Sequence, residues 1–305
     1  MNRILWIGFC LLLASPLAHA QAPQGGAQKA VLVTGASTGI GRAITERLAT
    51  DGYFVYAGAR KDKDIADLNA IRNVQALRLD VTRPEEIAAA VETVTRAGRG
   101  LYGLVNNAGV AVTGTFAETK DEDFDFVMSV NAYGPYRVTK AFAPLIVASK
   151  GRITTIGSIS GILSSRDLGV YSMSKHAVEA FADSLALQME PRGVMVSIIE
   201  PGNYNSQIGA SAAKRTGTVT RLTDRSQYKS PDEVAEAVAL ALFEPAPKRR
   251  YMVVPNQQEA EVTIRKAIQE LVQLNEGHAY TYDRAALVAM LDEALLKARP
   301  PAPRK

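Results

Sequence analysis

Tyr171 and Lys175 stand four residues apart in Tyr171-Ser172-Met173-Ser174-Lys175, a spacing that puts both on one face of a helix. A phenol with a pKa of about 10 is a poor base at neutral pH, and a neighbouring ammonium favours its ionised form. Such a pair can move a proton to or from a carbonyl or alcohol oxygen. The spacing alone proves little, because Tyr136-Arg137-Val138-Thr139-Lys140 repeats it. Position separates the two copies. Ser158 lies just past the apolar run 152–156, where a hydroxyl can hold a substrate oxygen beside Tyr171 at the start of the next helix. Tyr136 falls inside the long helix before that run, next to Pro135, and reads as a packing residue.

A second constellation points to a nucleotide. Thr34-Gly35-Ala36-Ser37-Thr38-Gly39-Ile40-Gly41 follows the first buried strand and opens a helix near 40–50. Gly35 allows a tight turn, Gly39 lets backbone approach a pyrophosphate, and Gly41 lets helix and strand pack closely. The free N–H groups and positive dipole end of the helix suit phosphates. At the end of the second strand the chain reads Ala57-Gly58-Ala59-Arg60-Lys61, with no acid before Asp62. An acid there would accept from a ribose 2′-OH, whereas the planar fork of Arg60 suits a 2′-phosphate. NADP is therefore expected over NAD.

The elements that must carry these residues alternate. Short runs rich in Val, Ile and Leu occur at 30–34, 53–57, 74–79, 101–105, 152–156, 194–199 and 251–254, with helix-period segments between them. Strands apolar on both faces and separated by helices specify a parallel sheet covered on both sides. With right-handed crossovers the expectation is a single doubly wound, Rossmann-like α/β domain over 30–255, with a seven-stranded parallel sheet. Its ligands bind at the carboxyl ends of the strands. Tyr204 to Lys229 is polar and poorly periodic and reads as a mobile cover over that edge. Two amphipathic patterns, 259–275 and 283–298, form a C-terminal helical extension over 256–305, ending in a Pro-rich tail at Pro300. They would cap the domain or mediate self-association.

Composition is that of a soluble enzyme, with 47% apolar and 22% charged residues. The formal charge of +4 and the lack of Lys/Arg runs exclude nucleic acid as a main partner. Residues 1–20 differ: Arg3, the apolar run 4–14, Pro16 and Ala18-His19-Ala20 read as a signal peptide cut after Ala20, with 21–29 as a flexible leader. The protein would then be exported, periplasmic or secreted; an uncleaved anchor or a cytoplasmic enzyme is the alternative. Cys10, the sole cysteine, lies in that segment, so thiol catalysis and disulfides are excluded from the mature chain. His19, His176 and His278 are scattered and form no metal set; His176 reads as a surface residue.

Taken together, these motifs resemble the short-chain dehydrogenase/reductase family, in the branch handling retinol, hydroxysteroids and 3-hydroxybutyrate. The resemblance rests on the Gly-rich turn, Asp80-Val81, Asn106-Asn107-Ala108-Gly109, Asn131, Ser158, Tyr171, Lys175 and Pro201-Gly202. The spacings agree as well: 25 from Asn106 to Asn131, 27 on to Ser158 and 13 on to Tyr171. It implies hydride transfer between NADP(H) and a secondary or lipophilic alcohol or its carbonyl, by a dimer or tetramer of one chain. Tyr171 would be general acid and base, Lys175 would lower its pKa and bind ribose, Ser158 would orient the substrate oxygen, and Asn131 would hold a relay water. Ser37, Thr38, Gly39, Ile40 and Gly41 would meet the pyrophosphate, Asp80 and Val81 the adenine, and Asn107, Ala108 and Gly109 other parts of the cofactor. Pro201, Gly202 and Ser206 would approach the nicotinamide; the family usually has Thr where Ser206 stands. A non-catalytic nucleotide-sensing protein on the same fold is the alternative. Retention of all four catalytic positions disfavours it.

Overall fold

A computed structural model of the chain describes residues 28–217 and 224–298. The proposed signal peptide, residues 21–27 of the leader and the Pro-rich tail lie outside the described residues. Gln28 and Lys29, assigned to the flexible leader, belong to the folded body. The Gln28 amide donates to the Gly52 carbonyl at 2.9 Å, and the Lys29 ammonium sits 3.8 Å above the Tyr102 ring.

Seven parallel strands form one sheet: β1 (Ala30–Val33), β2 (Phe54–Ala59), β3 (Val74–Arg78), β4 (Gly103–Asn106), β5 (Arg152–Ile156), β6 (Met195–Pro201) and β7 (Arg250–Val253). Their order is β3-β2-β1-β4-β5-β6-β7, a doubly wound sheet as expected. Side chains alternate across the pleat, so successive residues of β1 feed two cores. Ala30 and Leu32 face Leu104, Phe142, Ile153 and Leu185 on one side. Val31 and Val33 face Ile44, Leu48, Val238 and Leu242 on the other. Each large aliphatic side chain buried this way is worth roughly 1.5–3 kcal/mol, so both faces are pinned in register.

Helices α1 (Gly39–Thr50), α2 (Asp62–Asn69) and α8 (Asp232–Phe243) supply the second core. Helices α3 (Pro84–Arg96), α5 (Tyr133–Ala148) and α6 (Gly169–Met189) supply the first. Helix α4 (Asp121–Asn131) packs between α5 and α6. The order in which successive strands are added reverses between β1 and β4, which opens a crevice at their carboxyl ends.

Three expectations change. The segment 204–229 is no uniform cover, since it holds helix α7 (Ile208–Thr216). Small residues such as Gly209, Ala210, Ala212 and Ala213 gave α7 too little apolar contrast to show a period. Tyr204 is a core residue, 1% exposed, with its hydroxyl donating to Glu233 at 2.7 Å. Tyr136, read as packing, lies on the solvent face of α5 and is 50% exposed. The C-terminal patterns do form α9 (Gln257–Leu274) and α10 (Arg284–Ala298). Helix α9 is tied to the domain through buried Thr263 and through Glu259, which accepts from the Asn203 N–H at 2.8 Å. Ile264, Ile268 and Leu271 of α9, and Leu291 and Leu295 of α10, stay exposed.

Candidate active site

The crevice begins at Thr34, the residue after β1. Its hydroxyl accepts from the N–H groups of Asn107 and Ala108, both at 3.0 Å. In return the Asn107 amide donates to the carbonyls of Thr34 and Gly35 at 2.9 and 3.0 Å. The loops after β1 and β4 are thereby locked together. Gly35 and Gly39 adopt left-handed φ values of 65° and 54°, where L side chains are strained. A methyl group on Gly41 would lie 2.2 Å from the Gly35 carbonyl oxygen and 2.3 Å from the Asn107 amide nitrogen. That close approach is the reason for the third glycine.

Helix α1 starts from this turn with no acidic residue in its first turn, and Thr38 makes no side-chain cap. Its first N–H groups are therefore free of side-chain partners and face a cleft of about 910 Å³. Ser37, Thr38, Gly39, Ile40 and Gly41 line that cleft with Gly35, Arg60, Asp80, Val81, Asn107, Ala108 and Gly109. Pro201, Gly202 and Ser206 close it from the β6 side. Arg60 holds a guanidinium nitrogen 3.8 Å from the Asp80 carboxylate, so the acid partly offsets its charge. Arg78, which the sequence reading missed, donates to the Arg60 carbonyl at 2.6 Å and pairs with Asp62.

At the other end stand Ser158, Tyr171 and Lys175. Ser158 follows β5, where its oxygen accepts from the Ser160 N–H at 3.1 Å and caps a short helical turn. Tyr171 lies in the first turn of α6, on the helix whose buried stripe runs through Ser174, Lys175, Val178, Ala182 and Leu185. Packing of that stripe fixes the rotation of the helix and brings Tyr171 to the cleft. The Lys175 ammonium donates to the Ile156 carbonyl at 2.8 Å and sits 5.7 Å from the Tyr171 ring centre. Asn131 lies one layer behind the cleft. Its oxygen accepts from Val110 N–H at 2.9 Å, and its nitrogen donates to the Val110 carbonyl at 2.8 Å and to the Ser174 hydroxyl at 2.9 Å. It braces the loop after β4 against α6.

Burial pushes the Tyr171 hydroxyl above its ordinary value, while the Ser158 hydrogen bond and the charge of Arg225 pull it back. Burial pushes Lys175 itself down to about 8, against the charge of Glu179, and its ammonium is turned to Ile156. Behind Lys175, Glu200 is 1% exposed and is raised to about 7 by burial and by Glu179. Arg250 opposes that rise, donating to Glu200 at 2.6 Å and to Glu179 at 2.8 Å. The sequence reading missed Glu179, Glu200, Arg225 and Arg250. Only Glu200 carried a signal: an acid inside the apolar strand Ile198-Ile199-Glu200. His176 is on the surface, as expected. The second Tyr–Lys pair lies outside the cleft.

Residues 29–217 match the family model described as short chain dehydrogenase. The chain belongs to the short chain dehydrogenase family. The mitochondrial D-beta-hydroxybutyrate dehydrogenase of Rattus norvegicus is 35% identical over 221 residues, covering 69% of this chain and 62% of that protein. Retinol dehydrogenase 5 of Mus musculus is 39% identical over 183 residues, covering 58% and 57%. The chain thus spans about six tenths of the length of these two relatives. The crystal structure of a short-chain dehydrogenase from Streptomyces avermitilis superposes with a TM-score of 0.72 at 29% identity, covering 83% of this chain and 97% of that one. Among the described residues no group of three or more His, Cys, Asp or Glu side chains could hold a metal ion. No helix among them is long and apolar enough to cross a membrane.

Proposed function

We propose that this short chain dehydrogenase transfers a hydride between NADP(H) and a secondary or lipophilic alcohol or its carbonyl. The single observation that carries the reading is the convergence of the Gly-rich turn with Ser158, Tyr171 and Lys175 in one cleft. The residues fit a dinucleotide: free N–H groups at the start of α1 suit the pyrophosphate, and Arg60, backed by Arg78, suits a 2′-phosphate. A reduced nicotinamide bound at the β6 side would supply a hydride to the carbonyl carbon.

Ser158 donates a hydrogen bond to the carbonyl oxygen and holds it beside Tyr171. Tyr171 gives its phenolic proton to that oxygen as the carbon is reduced, so ketone, hydride and proton become alcohol. In oxidation it takes the proton back. A phenol is protonated at neutral pH and ready for donation, and burial raises it further. Lys175 holds the cleft floor through Ile156 and, pushed down to about 8, can exchange a proton near neutral pH. Asn131 keeps α6 in register with the loop after β4, and through a water it would link Lys175 to solvent.

The test is a carbonyl panel assayed with NADPH and with NADH on wild type and Arg60→Ala. The expected result is ketone-dependent oxidation of NADPH in preference to NADH. Arg60→Ala should raise the KM for NADPH by about ten-fold and leave NADH nearly unmoved. Absence of carbonyl-dependent oxidation with either nucleotide would contradict the reading.

A further inference from the structure

The cleft contains a cation that hydride transfer does not use. Three arginines line it, and two are answered by acids. Arg60 faces Asp80. Arg215 donates to Asp123 at 2.5 Å and lies 4.0 Å above the Phe126 ring. Arg225 differs from both. Among the described residues its guanidinium makes no ion pair, and its Nε is buried without a hydrogen-bond partner. Its neighbour Asp224 makes no ion pair with it; that carboxylate accepts from the Ser226 N–H at 2.9 Å.

The segment carrying Arg225 is anchored. The Asn205 N–H donates to the Lys229 carbonyl at 2.9 Å, which joins the segment to the loop after β6. The Tyr228 N–H donates to the Arg225 carbonyl at 3.1 Å, and the Tyr228 ring lies 5.6 Å from the guanidinium carbon. The Nε is closed off from the cleft, but the side chain lines it and its guanidinium makes no ion pair, so a planar carboxylate would supply the acceptors that the open edge of the fork lacks. Arg225 lines the cleft on a segment joined to the loop after β6, the side on which Pro201 and Gly202 close it, and its charge acts on the Tyr171 hydroxyl. Ile159, Leu163 and Leu168 supply apolar surface to the same cleft.

We infer that Arg225 anchors a carboxylate on the substrate, so that the preferred substrates are oxo acids and hydroxy acids with an apolar chain. The inference rests on the hydride-transfer reading of the site and adds a specificity residue to it. A phosphate of the dinucleotide carries the same acceptor chemistry and is the other source to be tested. Removing one partner of a desolvated charge pair costs roughly a hundred-fold in affinity.

The test pairs 4-oxopentanoate and 7-oxooctanoate with their methyl esters, using NADPH and wild type, Arg225→Gln and Arg225→Lys. Wild type should prefer the acids by at least ten-fold in kcat/KM. Arg225→Gln should raise the acid KM by about a hundred-fold and collapse the acid-to-ester ratio to near one, and Arg225→Lys should restore part of it. The KM for NADPH should move by less than about three-fold. Equal rates on acid and ester in wild type, or an NADPH KM raised equally with both substrates, would overturn the assignment. Calorimetry of 4-oxopentanoate binding to NADP-saturated Tyr171→Phe gives a readout without turnover. Binding lost on adding Arg225→Gln supports the anchor even if no carbonyl is reduced, a result that would sink only the hydride-transfer reading. No binding of either acid to NADP-saturated Tyr171→Phe would overturn the anchor alone.

Discussion

The two Tyr–Lys pairs share a local geometry and nothing else. Lys175 lies 5.7 Å from the Tyr171 ring centre and Lys140 lies 5.8 Å from that of Tyr136. Helical spacing sets that distance in both places. The surroundings differ. Lys175 is 5% exposed, faces the Ile156 carbonyl and sits at the carboxyl ends of β5 and β6. The ring of Tyr136 is half exposed, and Lys140 is exposed beside it on the outer face of α5. A four-residue spacing therefore makes a pair, and only desolvation with a hydroxyl partner and a cleft makes it a proton-transfer device.

Exchanging the lysines should break the comparison most visibly. Lys175→Met is expected to lower kcat/KM for carbonyl reduction by about 10³-fold, and Lys140→Met by less than two-fold, in steady-state assays. The same variants separate on stability. Because Lys175 is pushed down to about 8 in the fold and ionises at its ordinary 10.5 when unfolded, the unfolded chain binds more protons between those values. Its contribution is present above 10.5 and lost as pH falls through about 8. Urea unfolding across this window should show wild type and Lys140→Met gaining stability with pH, by at most roughly 3 kcal/mol, and Lys175→Met lacking that gain.

Ser158→Ala removes the hydroxyl partner that Tyr136 never had. It should cost about 10²-fold in kcat while the folded state keeps its melting temperature within a few degrees. The smallest effect tests the carboxylates behind Lys175. Glu200, raised to about 7, contributes stability that is present below its unfolded value and lost as pH rises through about 7. Glu200→Gln should flatten that decline by on the order of 2 kcal/mol in unfolding curves between pH 5 and 8.

The sheet was legible because buried parallel strands carry Val, Ile and Leu on both faces, and each of the seven was found within a few residues of its expected place. The Gly-rich turn and the Ser158, Tyr171 and Lys175 set were legible because their spacing is local or tied to strand ends. Tyr136 was misread: the apolar stripe of α5 runs through Val138, Phe142 and Ile146, and Tyr136 lies off it. Helix α7 was missed because its small residues blur any period. Arg250 and Glu179 meet across 71 residues of chain, and Arg225 is marked by making no ion pair among the described residues. Both are tertiary facts, set by how β7 and the segment after α7 dock.

The central claim is that burial beside Ser158 makes Tyr171 the proton donor and leaves Tyr136 inert. The direct measurement is single-turnover reduction of a carbonyl by NADPH in Tyr171→Phe and Tyr136→Phe, with nucleotide affinity measured alongside. The account predicts a rate about 10³–10⁴-fold below wild type for Tyr171→Phe, with NADPH affinity changed by less than about three-fold, and a wild-type rate for Tyr136→Phe. A wild-type rate in Tyr171→Phe would contradict it.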